Sequence, residues 1–297
     1  MANCNLCPRN CNAPRGEKEG TGFCGMGTLP VLARAALHFW EEPFISGARG
    51  SGTVFFSGCA LGCVFCQNDV ISRQRFGQVL TVEQLAGVFQ SLERQGAHNI
   101  NLVNPTHFVP AIVQALKCYR PRIPIVYNSG GYEKPSTLRA LRGLVDIYLP
   151  DFKYISPETA ARYAGAPDYF AVAAEAIEEM ALQTGPLQLD EDGLLQRGLV
   201  VRHLVLPGHV KESRAILRYL KEALPPGCAV SLMGQYVPCG RASQFPEIDR
   251  PLTAREYDRA VQTFMELDFD HGFVQERGAA SKAFIPDFSL QGLPEQG

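Results

Sequence analysis

Cys59, Cys63 and Cys66 stand in the run FFSGCALGCVFCQN with three and then two residues between them, directly after the apolar stretch Val54-Phe55-Phe56. Three thiolates on one short loop can hold three irons of a [4Fe–4S] cluster, and no further Cys follows within the loop to hold the fourth. A cluster with one open iron can bind and activate a small molecule, whereas a fully ligated one mainly passes electrons. Gly58 and Gly62 flank the first two cysteines and let the backbone turn tightly around a bulky group. Phe65, immediately before the third, could pack against a flat ligand beside the cluster. The plainer alternatives are a zinc site short of one ligand, or structural thiols with no metal.

A second set lies upstream: Cys4-x2-Cys7-x3-Cys11, with Cys24 in the glycine-rich run GTGFCGMG. Four thiolates could close a tetrahedral zinc site or hold an auxiliary iron–sulfur cluster, and ligand count does not separate the two. Residues 1–30 carry four Cys and five Gly with little periodicity, which suggests a loop-rich module held by metal rather than by a core. With ten Cys in the chain a disulfide framework is the rival. The polar, Cys-containing start MANCNLCPRN is unlike a secretory signal, so reduced thiols and a cytoplasmic location are expected. Of the remaining cysteines, Cys118 is expected as a core thiol in a helix and Cys228 as an inert one near a strand start. Cys239, after Tyr236-Val237-Pro238, could face a site as a hydrogen donor.

The elements that must position the two sets are legible in outline. The chain has 297 residues, 46% of them hydrophobic, enough for one large domain or one domain with an appendage. A net charge of −2 and a pI near 6.3 call for neither nucleic acid nor an anionic membrane, and no apolar run of about 18 residues exists to span one. From about residue 50, short apolar runs alternate with longer helical patterns. Strands are predicted over 52–56, 99–103, 123–127, 145–149, 199–206 and 229–236, with a short one at 272–275. Helices are predicted over 81–95, 108–119, 136–144, 156–183 with interruptions around Pro167, 211–224 and 253–267. Thr81 with Gln84 reads as a capping box and Gly96 as a helix stop.

Strands separated by helices of this length imply βαβ units and a parallel sheet. The expected fold is therefore α/β, a partial (β/α)6 TIM-like barrel with chemistry at the carboxyl ends of its strands and a small N-terminal Cys-rich segment. A flat doubly wound sheet is the alternative. Asp192-Gly193 suggests a two-residue hairpin turn in an inserted β-ribbon near 187–198. The expected division is 1–48 as metal-binding segment and lead-in, 49–280 as core, and 281–297 as tail.

The pattern Cys59-x3-Cys63-x-Phe65-Cys66 resembles that of the radical S-adenosylmethionine (SAM) superfamily. The run FSGCALGCVFCQN is similar to the branch containing pyruvate formate-lyase activating enzyme, whose relatives carry a leader like Cys4–Cys24. The resemblance extends over roughly residues 50–275 and implies that SAM chelates the open iron. One electron from the cluster would then cleave SAM to a 5′-deoxyadenosyl radical that abstracts hydrogen. It also implies a protein glycyl residue as substrate, on a glycyl-radical-enzyme-like partner, and an electron donor such as flavodoxin or ferredoxin.

Residue by residue, the resemblance points to the strand ends. Asn104 and Thr106 stand where the family has a Gly-Gly-Glu-Pro type segment, with the acidic residue absent. Asn128 and Ser129 match an Asn-Gly-aromatic turn. Asp151 and Lys153 match an Asp-x-Lys, and Arg202 an arginine near the SAM carboxylate. Asp151 and Lys153 project to one side of a strand and could equally pair with each other. Arg202 and His203 point to opposite faces, so at most one of them lines the barrel, and a buried Arg202 needs a carboxylate partner that SAM would supply. His107 reads as a hydrogen-bonded loop histidine or a ligand. The segment His38–Gly47 resembles the family's lead-in to the first strand, and its Trp40 is expected to be buried. Two rival functions remain: radical modification of a small molecule or other peptide, and a non-catalytic iron–sulfur carrier or scaffold.

Overall fold

The computed structural model describes residues 3–276 and 286–295. Its centre is a mostly parallel sheet of β1 (Val31–His38), β2 (Ser51–Phe56), β3 (Ile100–Val103), β4 (Ile125–Ser129), β5 (Ile147–Pro150), β6 (Leu195–Leu204), β7 (Ala229–Met233) and β8 (His271–Val274). From β2 to β8 the strands neighbour one another in chain order and run parallel; β1 joins the outer side of β2 antiparallel. The short strand Gln78–Val79 completes the β1 edge, and β8 forms the other edge, so the described sheet is open rather than a closed barrel. All six parallel strands expected from sequence are present, and residues 272–275 fall largely within β8.

Residues 31–38, read from sequence as part of the lead-in, are instead strand β1. Three of its eight residues are Ala, a weak strand former that leaves little propensity signal. Its free side is taken by the carboxyl-terminal segment: Leu290 N–H donates to Ala33 O and Ala35 N–H to Gln291 O, and Phe288 meets Phe55 edge-on at 5.4 Å. The expected boundary at 280/281 lies outside the described residues. The 187–198 ribbon exists as Gln188–Leu189 pairing antiparallel with the start of β6. Its turn is longer than two residues, because Asp190 Oδ1 accepts from the N–H groups of Asp192 and Leu194 and the strand pair closes at Leu189–Leu195.

Helices α1 (Val82–Arg94), α2 (Val109–Cys118), α3 (Pro135–Arg139), α4 (Pro157–Ala164), α5 (Tyr169–Thr184), α6 (Val210–Ala223) and α7 (Ala254–Glu266) connect the parallel strands. The α1 capping box forms as expected, Thr81 Oγ1 accepting from Gln84 N–H and Gln84 Oε1 from Thr81 N–H. Gly165 in the left-handed conformation ends α4, which separates it from α5. The helix expected over 136–144 stops at Arg139. Cys118 is exposed, contrary to expectation: it is the last residue of α2, and the buried face there is set by Ile112, Ala115 and Leu116. Among the described residues, no helix is long and apolar enough to cross a membrane.

Alternation along the strands divides the core in two. Tyr127, Tyr148, Val201 and Val230 face the helices in the large cluster. Val126, Ile147, Leu149, Val200 and Ala229 face the other way, packed against Phe44 and Ile45 of the lead-in. Continuing that inner face toward the carboxyl ends, in steps of two, gives Asn128, Asp151, Arg202 and Ser231. Nonpolar packing at the amino end of the inner face thus gives way to charge at its carboxyl end.

The turns after β4 and β5 are tied by one hydroxyl. The buried Tyr169 hydroxyl accepts from Lys153 N–H and lies 2.9 Å from both Gly130 O and Asp151 O, to which it can donate. Gly131, at φ +76°, permits this approach, since a Cβ there would lie 2.2 Å from Asp151 O. Tyr169→Phe should leave Lys153 N–H and two carbonyls short of a partner. The expected loss is about 1–3 kcal/mol, read as a lower urea midpoint at unchanged slope.

Candidate functional site

A cavity of about 290 Å³ opens at the carboxyl edge of the sheet. Cys59, Cys63 and Cys66 line it together with strand-end residues, among them Val103, Asn128, Asp151, Arg202 and Met233. The loop reaches this place because Gly58 takes φ +82° directly after β2. It is anchored by Val64 N–H to Tyr163 O (2.9 Å) and by Arg73 Nη1 to Gly62 O (2.7 Å).

Each of the three sulfurs has a donor. Leu61 N–H reaches Cys59 Sγ at 3.3 Å, Ser72 Oγ reaches Cys66 Sγ at 3.4 Å, and the Tyr154 hydroxyl faces Cys63 Sγ at 3.8 Å. Burial pushes the Cys66 thiol up to about 12, and the neighbouring sulfurs of Cys63 and Cys59 add to the rise. Burial likewise raises Cys63, against the pull of Lys153. Cys63 and Cys66, crowded and desolvated, ionise readily only beside a cationic centre, and donors already point at all three sulfurs. Asn68 Oδ1, buried and without a hydrogen-bond partner, lies on the same cavity wall. This donor chemistry fits an iron–sulfur cluster with three protein ligands.

A charged network lines the same cavity as the cysteines. Arg202 donates through Nε to Asp151 Oδ1 (3.0 Å), through Nη1 to Glu41 Oε2 (3.1 Å) and through Nη2 to Asn128 Oδ1 (2.7 Å). Lys153 Nζ holds the other Asp151 oxygen at 2.5 Å. Asn101 and Asn128 donate to Glu41 Oε1 at 3.1 and 3.3 Å. Burial works to raise Asp151, but Lys153 and Arg202 together hold it below its ordinary value. For Glu41 burial prevails over Arg202 and its carboxyl is raised, as is that of Glu42 beside it. The carboxylate partner that Arg202 requires is therefore supplied by the protein, not left for a ligand.

The cavity gathers most of the residues expected from sequence: the three cysteines, Phe65, Asn104, Asn128, Ser129, Asp151, Lys153 and Arg202. Phe65 stands edge-on to Tyr163 and Tyr236. Asn104, at φ +58°, donates to Gly58 O and so ties the end of β3 to the Cys loop. Thr106 is not among the lining residues; its hydroxyl donates to Glu133 Oε1 at 2.6 Å. His203 faces away, hydrogen-bonded to Phe152 O, and His107 is buried against Ser57 O. Burial lowers both histidines to about 4, so both are neutral near pH 7. Trp40 is 61% exposed rather than buried, because the link between β1 and β2 carries it to the cavity rim.

Sequence reasoning passed over Glu41, Asn101 and Glu133. The adjacent pair Glu41-Glu42, set between Trp40 and Pro43-Phe44-Ile45, was the available signal: two acids inside an apolar stretch must be buried or paired. Glu133 gave none. It is 1% exposed, accepts from Thr106 and Tyr127, and is raised by burial to about 7. Its folded value lies above the ordinary 4.5, so folding binds the proton. That stabilisation is complete below the unfolded value and disappears as pH rises through about 7. Glu133→Gln should therefore gain stability relative to the unsubstituted chain between about pH 4.5 and 7, by up to about 3 kcal/mol. Urea unfolding of both proteins at pH 5 and pH 8 measures the difference.

A family model, Radical SAM superfamily, matches residues 53–236. The chain is 29% identical over 278 residues to an uncharacterized protein of Methanocaldococcus jannaschii, across 90% of this chain and 76% of that protein. Among solved structures it is similar to Streptococcus suis SuiB bound to S-adenosylmethionine, at a TM-score of 0.49 and 11% identity, over 74% of this chain and 48% of that one. It is also similar to the FeFe-hydrogenase maturase HydG from Carboxydothermus hydrogenoformans, at 0.48 and 14%, over 79% and 56%. With anSMEcpe bound to AdoMet the values are 0.47 and 12%, over 73% and 61%. The chain thus spans about half the length of SuiB. The family match runs from β2 through the Cys59–Cys66 loop to Tyr236 and takes in the cavity residues Asn128, Asp151, Lys153 and Arg202, and the chain belongs to the Radical SAM superfamily.

Proposed function

We propose that this protein is a radical SAM enzyme of the activating-enzyme type, abstracting hydrogen from a glycyl residue of a partner protein. Membership of the superfamily implies a [4Fe–4S] cluster and SAM. The observation that carries the reading is the convergence of Cys59, Cys63 and Cys66 with Asn128, Asp151, Lys153 and Arg202 on one cavity. With both groups bound, the cavity would host one-electron reductive cleavage of SAM to methionine and a 5′-deoxyadenosyl group that accepts hydrogen.

The chain's own residues have separable tasks in this reading. Cys59, Cys63 and Cys66 would hold the cluster, with Leu61 N–H and the Ser72 and Tyr154 hydroxyls favouring the thiolates. Asn104, Ser129 and Lys153 present polar groups to the space beside it and would bind SAM. Arg202 acts at one remove, fixing Asp151, Asn128 and Glu41 in place. Phe65 and Tyr236 form an apolar wall that keeps water from the reacting groups. The choice of a protein substrate draws support from the rim, where the exposed Trp40 offers an amphipathic anchor beside the opening. A flavodoxin or ferredoxin would supply the electron.

After anaerobic reconstitution, dithionite and SAM should yield 5′-deoxyadenosine and methionine. Cys59→Ala, Cys63→Ala or Cys66→Ala should each abolish that product together with the SAM-induced change in the cluster's EPR signal. An intact cluster that leaves SAM uncleaved would count against the assignment. The glycyl substrate is tested separately: a partner protein carrying deuterated glycine should pass label into 5′-deoxyadenosine. Label entering only from a small molecule would transfer the assignment to the rival substrate class.

A further inference from the structure

Residues 3–27 have almost no core. Their regular structure is a two-residue pair, Asn3–Cys4 against Ala13–Pro14, and most of their side chains are exposed or half-buried. Asn10 and Asn12, on either side of Cys11, both adopt positive φ, 46° and 47°. So short and strained a segment needs something beyond apolar burial to hold one shape.

The four leader cysteines supply a candidate. The chain folds them back on one another: Asn12 N–H donates to Cys4 O at 3.1 Å and Asn10 N–H to Cys7 O at 3.2 Å, Cys11 Sγ packs beside Gly22, two residues before Cys24, and Arg15 reaches both Cys4 Sγ and Met26 O. Two of the sulfurs also have a donor turned toward them. Phe23 N–H reaches Cys11 Sγ at 3.3 Å and the Arg15 guanidinium reaches Cys4 Sγ at 3.8 Å. In the family's own metal loop Cys59 and Cys66 are met in the same way, by Leu61 N–H and the Ser72 hydroxyl. A thiol has little need of such donors; a thiolate bound to metal is held by them.

We propose that Cys4, Cys7, Cys11 and Cys24 form a second metal centre, a four-thiolate site for zinc or an iron–sulfur cluster, that orders the leader. Among the described residues, neither Cys set is grouped tightly enough to hold a single ion. A cube carries its thiolates on separate irons and needs no such convergence, whereas zinc would require the four sulfurs to draw in to about 2.3 Å from one point. Metal binding would release the thiol protons.

The leader's position gives the centre a consequence. Arg9 donates to Ala60 O (2.7 Å), Leu61 O (3.3 Å) and Ala164 O (2.7 Å), and also to Gly165 O. Ala60 and Leu61 lie between Cys59 and Cys63. The Arg9 guanidinium stacks on Phe23 at 4.1 Å, and Phe23 lies over Gly62. The leader is thus clamped to the backbone of the SAM-cluster loop by a residue two positions from Cys7.

The test uses the full chain with Cys59, Cys63 and Cys66 all replaced by Ala, so that the outcome is independent of the family's cluster. Metal and sulfide analysis should find about one zinc per chain, or about four irons with sulfide. Zinc content selects one form and a Mössbauer spectrum the other. Adding Cys7→Ser and Cys24→Ser should remove that metal. A triple-Ala chain that retains no metal after expression with zinc and iron and anaerobic reconstitution would overturn the proposal. Because the added variants could misfold, the unsubstituted protein gives a second reading. Its exposed Cys118 should alkylate rapidly while the four leader thiols stay protected until chelator is added. Leader thiols that react as fast as Cys118 would overturn the proposal equally.

Discussion

A guanidinium buried at the carboxyl edge of a parallel sheet cannot be left unpaired, and the pairing of Arg202 organises the cavity around it. Its three partners come from three places: Asp151 after β5, Asn128 at the end of β4, and Glu41 from the lead-in between β1 and β2. Removing either carboxylate would strand charge in a medium where such a loss typically costs about 3–5 kcal/mol. The strand ends are therefore held in register by charge as well as by the backbone ladder. Glu41 in particular is drawn across the inner face from the far side of the sheet.

That network lines the same cavity as the three sulfurs. The cysteines offer thiolate ligands, two of them raised by burial; the network offers carboxylates and cations already balanced against each other. The two sets make different demands on what the cavity holds. The sulfurs call for metal. Lys153, which touches Asp151 and lowers Cys63 electrostatically, links the two. A ligand carrying both an anionic and a cationic group fits such a space better than one of a single sign.

Much of this was legible in the sequence. The Cys spacing and the βα alternation needed only periodicity and ligand chemistry, whereas the strand-end polar residues were marked by the family resemblance. What was not legible has physical causes. β1 escaped notice because its alanines carry little strand propensity, and it exists through pairing with β2 on one side and 286–295 on the other. Trp40 was expected inside, as its size suggests, but the link it occupies must cross the mouth of the cavity. The helical pattern predicts a buried Cys118, but the last turn of α2 runs out into solvent. Glu133 carries no local mark, since its role arises from Thr106 and Tyr127 on two other elements.

The resemblance of the strand ends to a family motif and their arrangement in space do not agree at every position. The acidic residue expected beside Asn104 and Thr106 is missing from that segment, yet a buried carboxylate, Glu133, lies against Thr106 from the loop after β4. It does not reach the cavity, so it cannot take over a ligand's amino group from where it stands. Its two donors, Thr106 and Tyr127, instead spend their hydroxyls on it and hold the β3 and β4 turns together. The polar groups left facing the cavity at this end are those of Asn104 and Ser129, which can accept a hydrogen bond but carry no charge. Recognition of a cationic group there would have to rest on dipoles, with the cavity's carboxylates, Asp151 and Glu41, already paired with Lys153 and Arg202.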